Sequence, residues 1–360
     1  MRRQHLDERV PRDGWLDVVE DHVAIHAQVM SAAELTLNAR VEDLGRDDIR
    51  DALWMQRTLV KTWAMRGTLH LVAADELPEL VGALANRESW RSQAWLRYFG
   101  VTEAQMERLL EAFEEVLQDT PMTRAALVEA VGRRMGDDAL AERMMSGWGT
   151  FLKPAAMRGL LVYGPDDGRN VTYVDPRQWL GREMPGASHQ AWADVLLRFL
   201  RVMPGAAPQE LGRWMGLQPR PVLRLVREHA AEVEVDGQRG LVWRDDLAEL
   251  ATLDDGGAGT LRLVGLFDPY VLSITRTAVP LLSIERRPEV SRTAGWISAC
   301  VLVDGVIAGT WTYEVRGGQL ALDVAAWRKL SASERRQLTA EADRIGRFLD
   351  AAPRVTIGQA

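Results

Sequence analysis

Cysteine and long apolar segments are scarce in this 360-residue sequence. Its one cysteine, Cys300, excludes an internal disulfide and a cysteine-cluster metal site, and we expect a reducing cytoplasm as its location. No apolar run approaches the ~20 residues that a membrane-spanning helix needs. The basic residues near the start are not followed by an apolar stretch, so we expect no secretory signal.

Motifs of several common enzyme classes are also missing. The Gly-Gly pairs at 256–257 and 317–318 lack the strand-to-helix context of a phosphate-binding loop, and no Gly-x-Ser-x-Gly elbow occurs. His22 and His26 are four residues apart, as metal ligands on a helix can be, but the glutamate of a His-Glu-x-x-His motif and a third ligand are absent. The sequence therefore predicts neither a cofactor nor a metal ion.

Lysine is rare, and the net charge is negative. Lysine occurs only at positions 61, 153 and 329, and the 44 basic residues face 51 acidic ones, which gives a net charge of -7. A surface that is basic throughout is thereby excluded. DNA binding needs only one basic face, because phosphate contacts are local. Composition alone leaves open whether the preference for arginine reflects DNA binding or codon usage.

The chain does contain a recurring order of predicted elements. One helix opens at Thr102, a second follows with Thr123 as its N-cap, and a third extends over 140–160. Two short strands around the turn at 165–168 come next. Three helices followed by a hairpin is the order of a winged helix. The order returns over 188–245, and in a looser form over 15–72, where the first helix is predicted at 15–28.

From residue 259 onward the chain is rich in β-branched residues. Asp304-Gly305 is a strong hairpin signal, and a final helix begins at Ser331 or Ser333. We therefore predict an α+β protein with three tandem winged-helix units and a small C-terminal β-rich domain, a curled or barrel-like sheet closed by the terminal helix. The predicted boundaries are 1–98, 99–184 and 185–253 for the three units and 259–360 for the C-terminal domain.

Several segments together resemble one protein family. The triplet His26-Ala27-Gln28 is followed about forty residues later by the segment RGTLH at 66–70, and LFDPYVLS and VLVDGVIAGTW occur near the C-terminus. Over nearly the whole chain the sequence resembles the AlkZ-like (YcaQ-related) DNA glycosylases. The first triplet position is His where the family more often has Gln, as in its histidine-bearing branch. Where the family often has an Asp-Arg pair, this sequence has Thr275-Arg276. The resemblance therefore implies a role for Arg276 and none for the position before it.

The resemblance implies that His26 and Gln28 are catalytic in a monofunctional DNA glycosylase. An N3- or N7-alkylated purine is positively charged and leaves without a general acid, so the enzyme needs mainly to position water and stabilise the sugar cation. Gln28 can orient that water and His26 can accept its proton. The triplet is expected at the end of a helix. Because residues two apart on a helix point in different directions, the helix must end or unwind there for both to reach one substrate.

The resemblance also suggests residues that contact DNA. The resemblance places Arg66, Thr68 and His70 beside the catalytic triplet. Arg276 and a protruding basic loop with Arg286, Arg287 and Arg292 are further candidates, although a solvated surface explains each group equally well.

The expected partner is double-stranded DNA with alkylated bases, bulky adducts and interstrand crosslinks included, bound by a monomer. The alternative function is a non-catalytic winged-helix protein such as a transcriptional regulator. Regulators of this kind usually bind paired half-sites as dimers, and the sequence contains no coiled-coil heptads.

Overall fold

The computed structural model describes residues 1–145, 149–235, 237–252, 259–274 and 281–359, and it has a mixed α+β fold. The helices are α1 (Trp15–Asp21), α2 (Met30–Asn38), α3 (Arg46–Trp54), α4 (Leu77–Leu84), α5 (Gln93–Phe99), α6 (Glu103–Val116), α7 (Arg124–Met135), α8 (Asp138–Glu142), α9 (Lys153–Met157), α10 (Pro176–Leu180), α11 (His189–Val202), α12 (Pro208–Met215), α13 (Pro219–Val226), α14 (Leu247–Ala251), α15 (Pro269–Ile274), α16 (Arg287–Val290) and α17 (Ala332–Leu349).

Three small sheets and one larger sheet accompany these helices. The strands are β1 (Ile25–His26), β2 (Leu59–Trp63), β3 (Leu69–Ala73), β4 (Met122–Thr123), β5 (Val162–Asp167), β6 (Asn170–Val174), β7 (Ala230–Val235), β8 (Gln238–Trp243), β9 (Leu261–Val264), β10 (Cys300–Val303), β11 (Val306–Arg316), β12 (Gln319–Ala326) and β13 (Ala352–Gln359). The sheet orders are β1-β3-β2, β4-β6-β5, β7-β8 and β13-β12-β11-β10-β9. Strands β12 and β13 are parallel, and α17 connects them.

Local sequence signals account for several element boundaries. The side chain of Thr102 caps α6 and that of Thr123 caps α7, as predicted. Ser331 caps α17 in a reciprocal pair with Glu334. Asp304 forms the turn between β10 and β11, with a φ of 49° that matches the predicted hairpin.

Two of the predicted helices are wrong in extent. The helix predicted at 15–28 ends at Asp21, and the chain continues into β1. The helix predicted at 140–160 is interrupted: α8 ends at Glu142, and α9 begins at Lys153 with a proline in its first turn. Residues 254–258, between the third predicted unit and the predicted C-terminal domain, lie outside the described residues.

The β2–β3 hairpin connects three apolar cores. Leu59 and Leu71 pack with α2, α3 and the larger sheet, whereas their neighbours Val60 and Val72 pack with α4 and α11. Trp63 joins a third core with α6 and α7. Since strand side chains alternate between two faces, one hairpin can serve separate cores. This hairpin thus holds β3 in a fixed place, and β1 pairs with β3.

Candidate active site

His26 ends β1, and Ala27 and Gln28 follow it outside any helix. Helix α1 ends at Asp21, Val23 adopts a left-handed conformation with a φ of 64°, and the chain then enters β1. The predicted helical setting of the triplet is therefore wrong. Ile25 before the triplet is fully buried, and Val29 after it is partly buried against an apolar core, which anchors the segment at both ends.

Pairing with β3 brings both polar side chains of the triplet to one place. His26 is opposite His70, and the Ala27 N–H donates to the Leu69 carbonyl at 2.7 Å. Gln28 lies at a bend two residues further on, and its side chain bonds to the backbone of the same strand, β3. No unwound helix is therefore needed for His26 and Gln28 to reach one substrate.

His26 is neutral and almost enclosed. Its side chain is 7% exposed, and its ring centroid lies 4.8 Å from that of Phe267 and 5.5 Å from that of His70. Burial, and next the charge of Arg66, lower the pKa of His26 to about 4. Among the described residues no group hydrogen-bonds to its Nδ1. The imidazole is therefore in its neutral form at neutral pH, which is the form required of a proton acceptor.

Gln28 is the exposed member of the pair. Its Oε1 accepts a hydrogen bond from the Leu69 backbone N–H at 3.3 Å, which ties the carboxamide to the start of β3. An amide oxygen has two lone pairs, so Oε1 keeps one for a further donor, and both N–H groups remain able to donate. Helix α2 begins at Met30 and anchors the chain beyond Gln28. The side chain is oriented by the backbone of a neighbouring strand while its amide faces solvent.

A tight turn precedes β3 and carries Arg66. Arg66 has a φ of 59° and Gly67 a φ of 73°, and the Ala64 N–H donates to the Thr68 carbonyl at 3.0 Å. Left-handed backbone is unusual for an arginine and costs on the order of 1–3 kcal/mol, which surrounding structure must offset. Arg66 is partly buried, and burial and the charges of neighbouring arginines lower its pKa. Its charge acts on both His26 and His70.

Thr68 and His70 have internal hydrogen bonds. The Thr68 hydroxyl donates to the Met65 carbonyl at 3.2 Å, within the turn. The Nδ1–H of His70 donates to the Thr68 carbonyl at 3.0 Å. His70 is 2% exposed, and burial holds its pKa well below the usual value. Such burial leaves His70 little surface for the DNA contact suggested by the sequence. Its ring packs against that of His26 instead.

Phe267 was not predicted, yet it covers one face of His26. It has a φ of 56°, and the next residue, Asp268, forms a fully buried bidentate ion pair with Arg40 at 2.7 and 2.8 Å. The Asp268 carboxylate also accepts from the Tyr270 N–H at 2.9 Å. These bonds fix the chain directly after the strained residue. The segment LFDPYVLS in the sequence contained the signal, because an acidic residue inside an apolar stretch requires a buried partner.

The other predicted DNA contacts do not form one protruding loop. Arg286 is partly buried, forms an ion pair with Glu289 at 2.8 Å and lies over the ring of Trp327. Arg287 is partly buried at the start of α16. Arg292 is exposed and lines a cavity with Trp296. Arg276 lies outside the described residues.

Two further cations near Arg66 were not predicted. Arg87 follows α4, and its charge lowers the pKa of Arg66. Lys153 begins α9, and its Cδ lies 3.5 Å from the point where a Cβ on Gly67 would sit. The rarity of lysine was the one sequence signal for Lys153.

Two general observations concern the described part of the chain. Nowhere in it do three or more histidine, cysteine or acidic side chains gather so that they could hold a metal ion. None of the helices described there has the length and apolar character needed to cross a membrane.

Comparisons with known proteins identify the family of this chain. The family model described as "DNA glycosylase AlkZ-like" matches residues 19–348. An interstrand DNA cross-link repair glycosylase from Streptomyces sahachiroi is 34% identical over 320 residues, which cover 86% of this chain and 85% of that protein. The solved structure of the DNA glycosylase AlkZ from Streptomyces sahachiroi has a TM-score of 0.88 and 31% identity, over 99% of this chain and 97% of that one. A non-catalytic regulator is not favoured by these matches. The chain belongs to the AlkZ-like DNA glycosylase family.

Proposed function

We propose that this DNA glycosylase hydrolyses the N-glycosidic bond of cationic N3- or N7-alkylated purines in duplex DNA and leaves an abasic site. His26 accepts a proton from the attacking water, and Gln28 orients that water through its carboxamide. The observation that carries the proposal is that a neutral imidazole, that of His26, and a backbone-anchored amide, that of Gln28, both lie against β3.

The absence of a strong acid near His26 is consistent with this substrate class. A cationic purine leaves as a neutral base, so its departure needs no proton. Undamaged purines need protonation or strong stabilisation to leave. Among the described residues, the charge that acts on the pKa of His26 is that of a cation, Arg66. A site of this composition selects for lesions that already carry their positive charge.

Room for a bulky substituent lies next to the proposed catalytic pair. A cavity of about 300 Å³ is lined in part by Trp296, Trp311 and Arg292. Trp296 packs edge-on against Phe267, with ring centroids 5.0 Å apart, and Phe267 contacts His26. Aromatic walls suit an aromatic adduct. We therefore extend the proposed substrates to bulky adducts and to interstrand crosslinks, the lesion named for the Streptomyces sahachiroi relative.

The remaining parts of the proposal concern architecture and setting. We propose that the three small sheets with their preceding helices are three winged-helix units at 1–98, 99–184 and 185–253, and that 259–360 forms the C-terminal domain with a curled sheet. Apolar cores that extend across these boundaries support packing of the units against one another. We further propose that the protein binds DNA as a monomer in the cytoplasm.

The substrate class is tested with two duplexes of the same sequence. One carries a single N7-methylguanine and the other an N7–N7 interstrand crosslink, and alkali then cleaves any abasic site. We expect strand cleavage in the first and separation of the strands in the second. An undamaged duplex is the control. If neither damaged duplex is processed faster than it decays spontaneously, the proposed substrate class is wrong.

A further inference from the structure

Three cations converge beside the catalytic pair without a carboxylate partner. They are Arg66 in the turn before β3, Arg87 after α4 and Lys153 at the start of α9, and we refer to them as the cationic cluster. No hydrogen bond or salt bridge from their side chains occurs within the described parts of the chain. Most other partly buried arginines of this protein are paired, as Arg158 is with Glu88 and Glu107.

Backbone packing holds the cluster in place. Lys153 lies against Gly67, which is the neighbour of Arg66 in the left-handed turn. The Arg87 guanidinium carbon lies 2.6 Å from the point where a Cβ on Gly216 would sit, so the guanidinium occupies space that only a glycine leaves free. Gly216 ends α12, and α12 packs against the turn that contains Arg66.

In the free protein, the three positive charges of the cluster are partly buried and close together, which is electrostatically unfavourable. Burial lowers the pKa of Arg66, Arg87 and Lys153. The charges of Arg213 and then of Arg87 lower the pKa of Arg66 further, and the charge of Arg87 also lowers that of Lys153. Nη1 of Arg87 is fully buried and has no partner among the described residues. Unpaired buried cations destabilise a fold unless an anion binds between them. The cluster therefore has the character of a preformed anion site.

We propose that the cationic cluster binds the DNA backbone phosphate that flanks the damaged nucleotide. Arginine forks and a lysine ammonium are the side chains that bind phosphate oxygens best. The cluster begins at Arg66, whose charge already acts on His26, so a phosphate held there lies next to the catalytic pair. The phosphate also neutralises cations that otherwise repel a positively charged lesion. The assignment of this phosphate to the position beside the damaged nucleotide rests on the proposed function, whereas the existence of the phosphate site does not.

The first experiment measures DNA affinity against salt for Arg87→Met and Lys153→Met. Methionine keeps an apolar stem of similar length and removes the charge. Arg316→Met is the matched control, because Arg316 is exposed and paired with Glu314. Binding of a fluorescent duplex is titrated by anisotropy between 50 and 300 mM salt. We expect each cluster variant to bind about tenfold more weakly at low salt, with a slope of log affinity against log salt reduced by about 0.9. Affinity and slope equal to those of Arg316→Met would overturn the proposal.

Thermal unfolding of the free protein separates this role from a structural one. Removal of an unpaired buried cation is expected to leave the unfolding temperature of Arg87→Met unchanged or raised. A lower unfolding temperature together with wild-type DNA binding would show that Arg87 is structural, and would overturn the proposal. If Arg87→Met does not fold, Lys153→Met carries the same test.

The second experiment locates the phosphate. Each phosphate around an abasic-site analogue is replaced in turn by a neutral methylphosphonate, and binding is measured for the wild type and for Arg87→Met. We expect one flanking position at which neutralisation weakens wild-type binding about tenfold and leaves the variant unchanged. If neutralisation weakens binding by the same factor in the wild type and in Arg87→Met at every position, the proposal is overturned. Because the readout is binding, it remains interpretable even if His26 and Gln28 prove not to be catalytic.

Discussion

His26 and His70 face each other across the antiparallel pair of β1 and β3, with ring centroids 5.5 Å apart and ring planes at 82°. The Thr68 carbonyl accepts from Nδ1–H of His70 and thereby fixes its tautomer. His70 thus presents a neutral ring edge to His26 and keeps water from one side of it. We interpret His70 as a residue that positions His26.

Replacement of His70 by phenylalanine tests this positioning role. Phe keeps the ring and its packing but removes the hydrogen bond to Thr68, so the ring is free to shift against His26. We expect the single-turnover excision rate to fall about tenfold while DNA affinity stays within twofold of the wild type. A loss of DNA affinity with an unchanged rate would instead indicate that His70 contacts DNA, as the sequence first suggested.

The buried ion pair of Arg40 and Asp268 is predicted to hold the active site together. Both side chains are 0% exposed, and the pair joins the end of α2 to the residue after Phe267. Removal of one partner leaves an uncompensated buried charge, which costs about 3–5 kcal/mol. We expect Asp268→Asn to lower the free energy of unfolding by this amount in urea titrations. The double variant Arg40→Met, Asp268→Leu is the control, and it should recover part of the loss.

Acid sensitivity follows from the buried neutral histidines. The pKa of His26 is lowered to about 4, and burial also lowers those of His22 and His70 well below their usual value. The unfolded chain therefore takes up protons near pH 6.5 while the folded protein does not. Stability is complete above about pH 6.5 and falls toward pH 4, by up to about 1.4 kcal/mol per pH unit for each such histidine.

The measurement is the free energy of unfolding at several pH values between 4.5 and 7.5. His26→Asn should show a shallower decline below pH 6.5 than the wild type, because one of the responsible groups is gone. His189→Asn, at an exposed position, is the matched control and should decline as the wild type does. Equal slopes for all three proteins would contradict the assignment of a lowered pKa to His26.

The sequence identified the two catalytic candidates but not their geometry. His26 and Gln28 follow a helix, and the β-branched residues Val23, Ile25 and Val29 alternate over too few positions to identify a strand, so the segment was predicted as part of the helix. The extended conformation of this segment depends on a strand more than forty residues away, because β3 supplies the backbone groups that pair with residues 25–27. Tertiary pairing overrides local propensity in such short segments.

The cationic cluster could not be predicted from the sequence, for a related reason. Arg66, Arg87 and Lys153 come from segments assigned to two predicted winged-helix units, and Gly216, which accommodates Arg87, comes from the third. Apolar cores also extend across the predicted boundaries, as where α4 packs against α11. Capping residues and the Asp304 turn were predictable, since they depend on neighbours within a few positions.

The most direct test of the central claim is single-turnover excision of N7-methylguanine by His26→Ala, Gln28→Ala and the double variant. If the two residues jointly activate one water, each single variant loses about 10²-fold or more in rate, and the double variant loses little beyond that. DNA affinity, measured in parallel, stays within twofold of the wild type. Wild-type excision rates in both single variants would contradict the account.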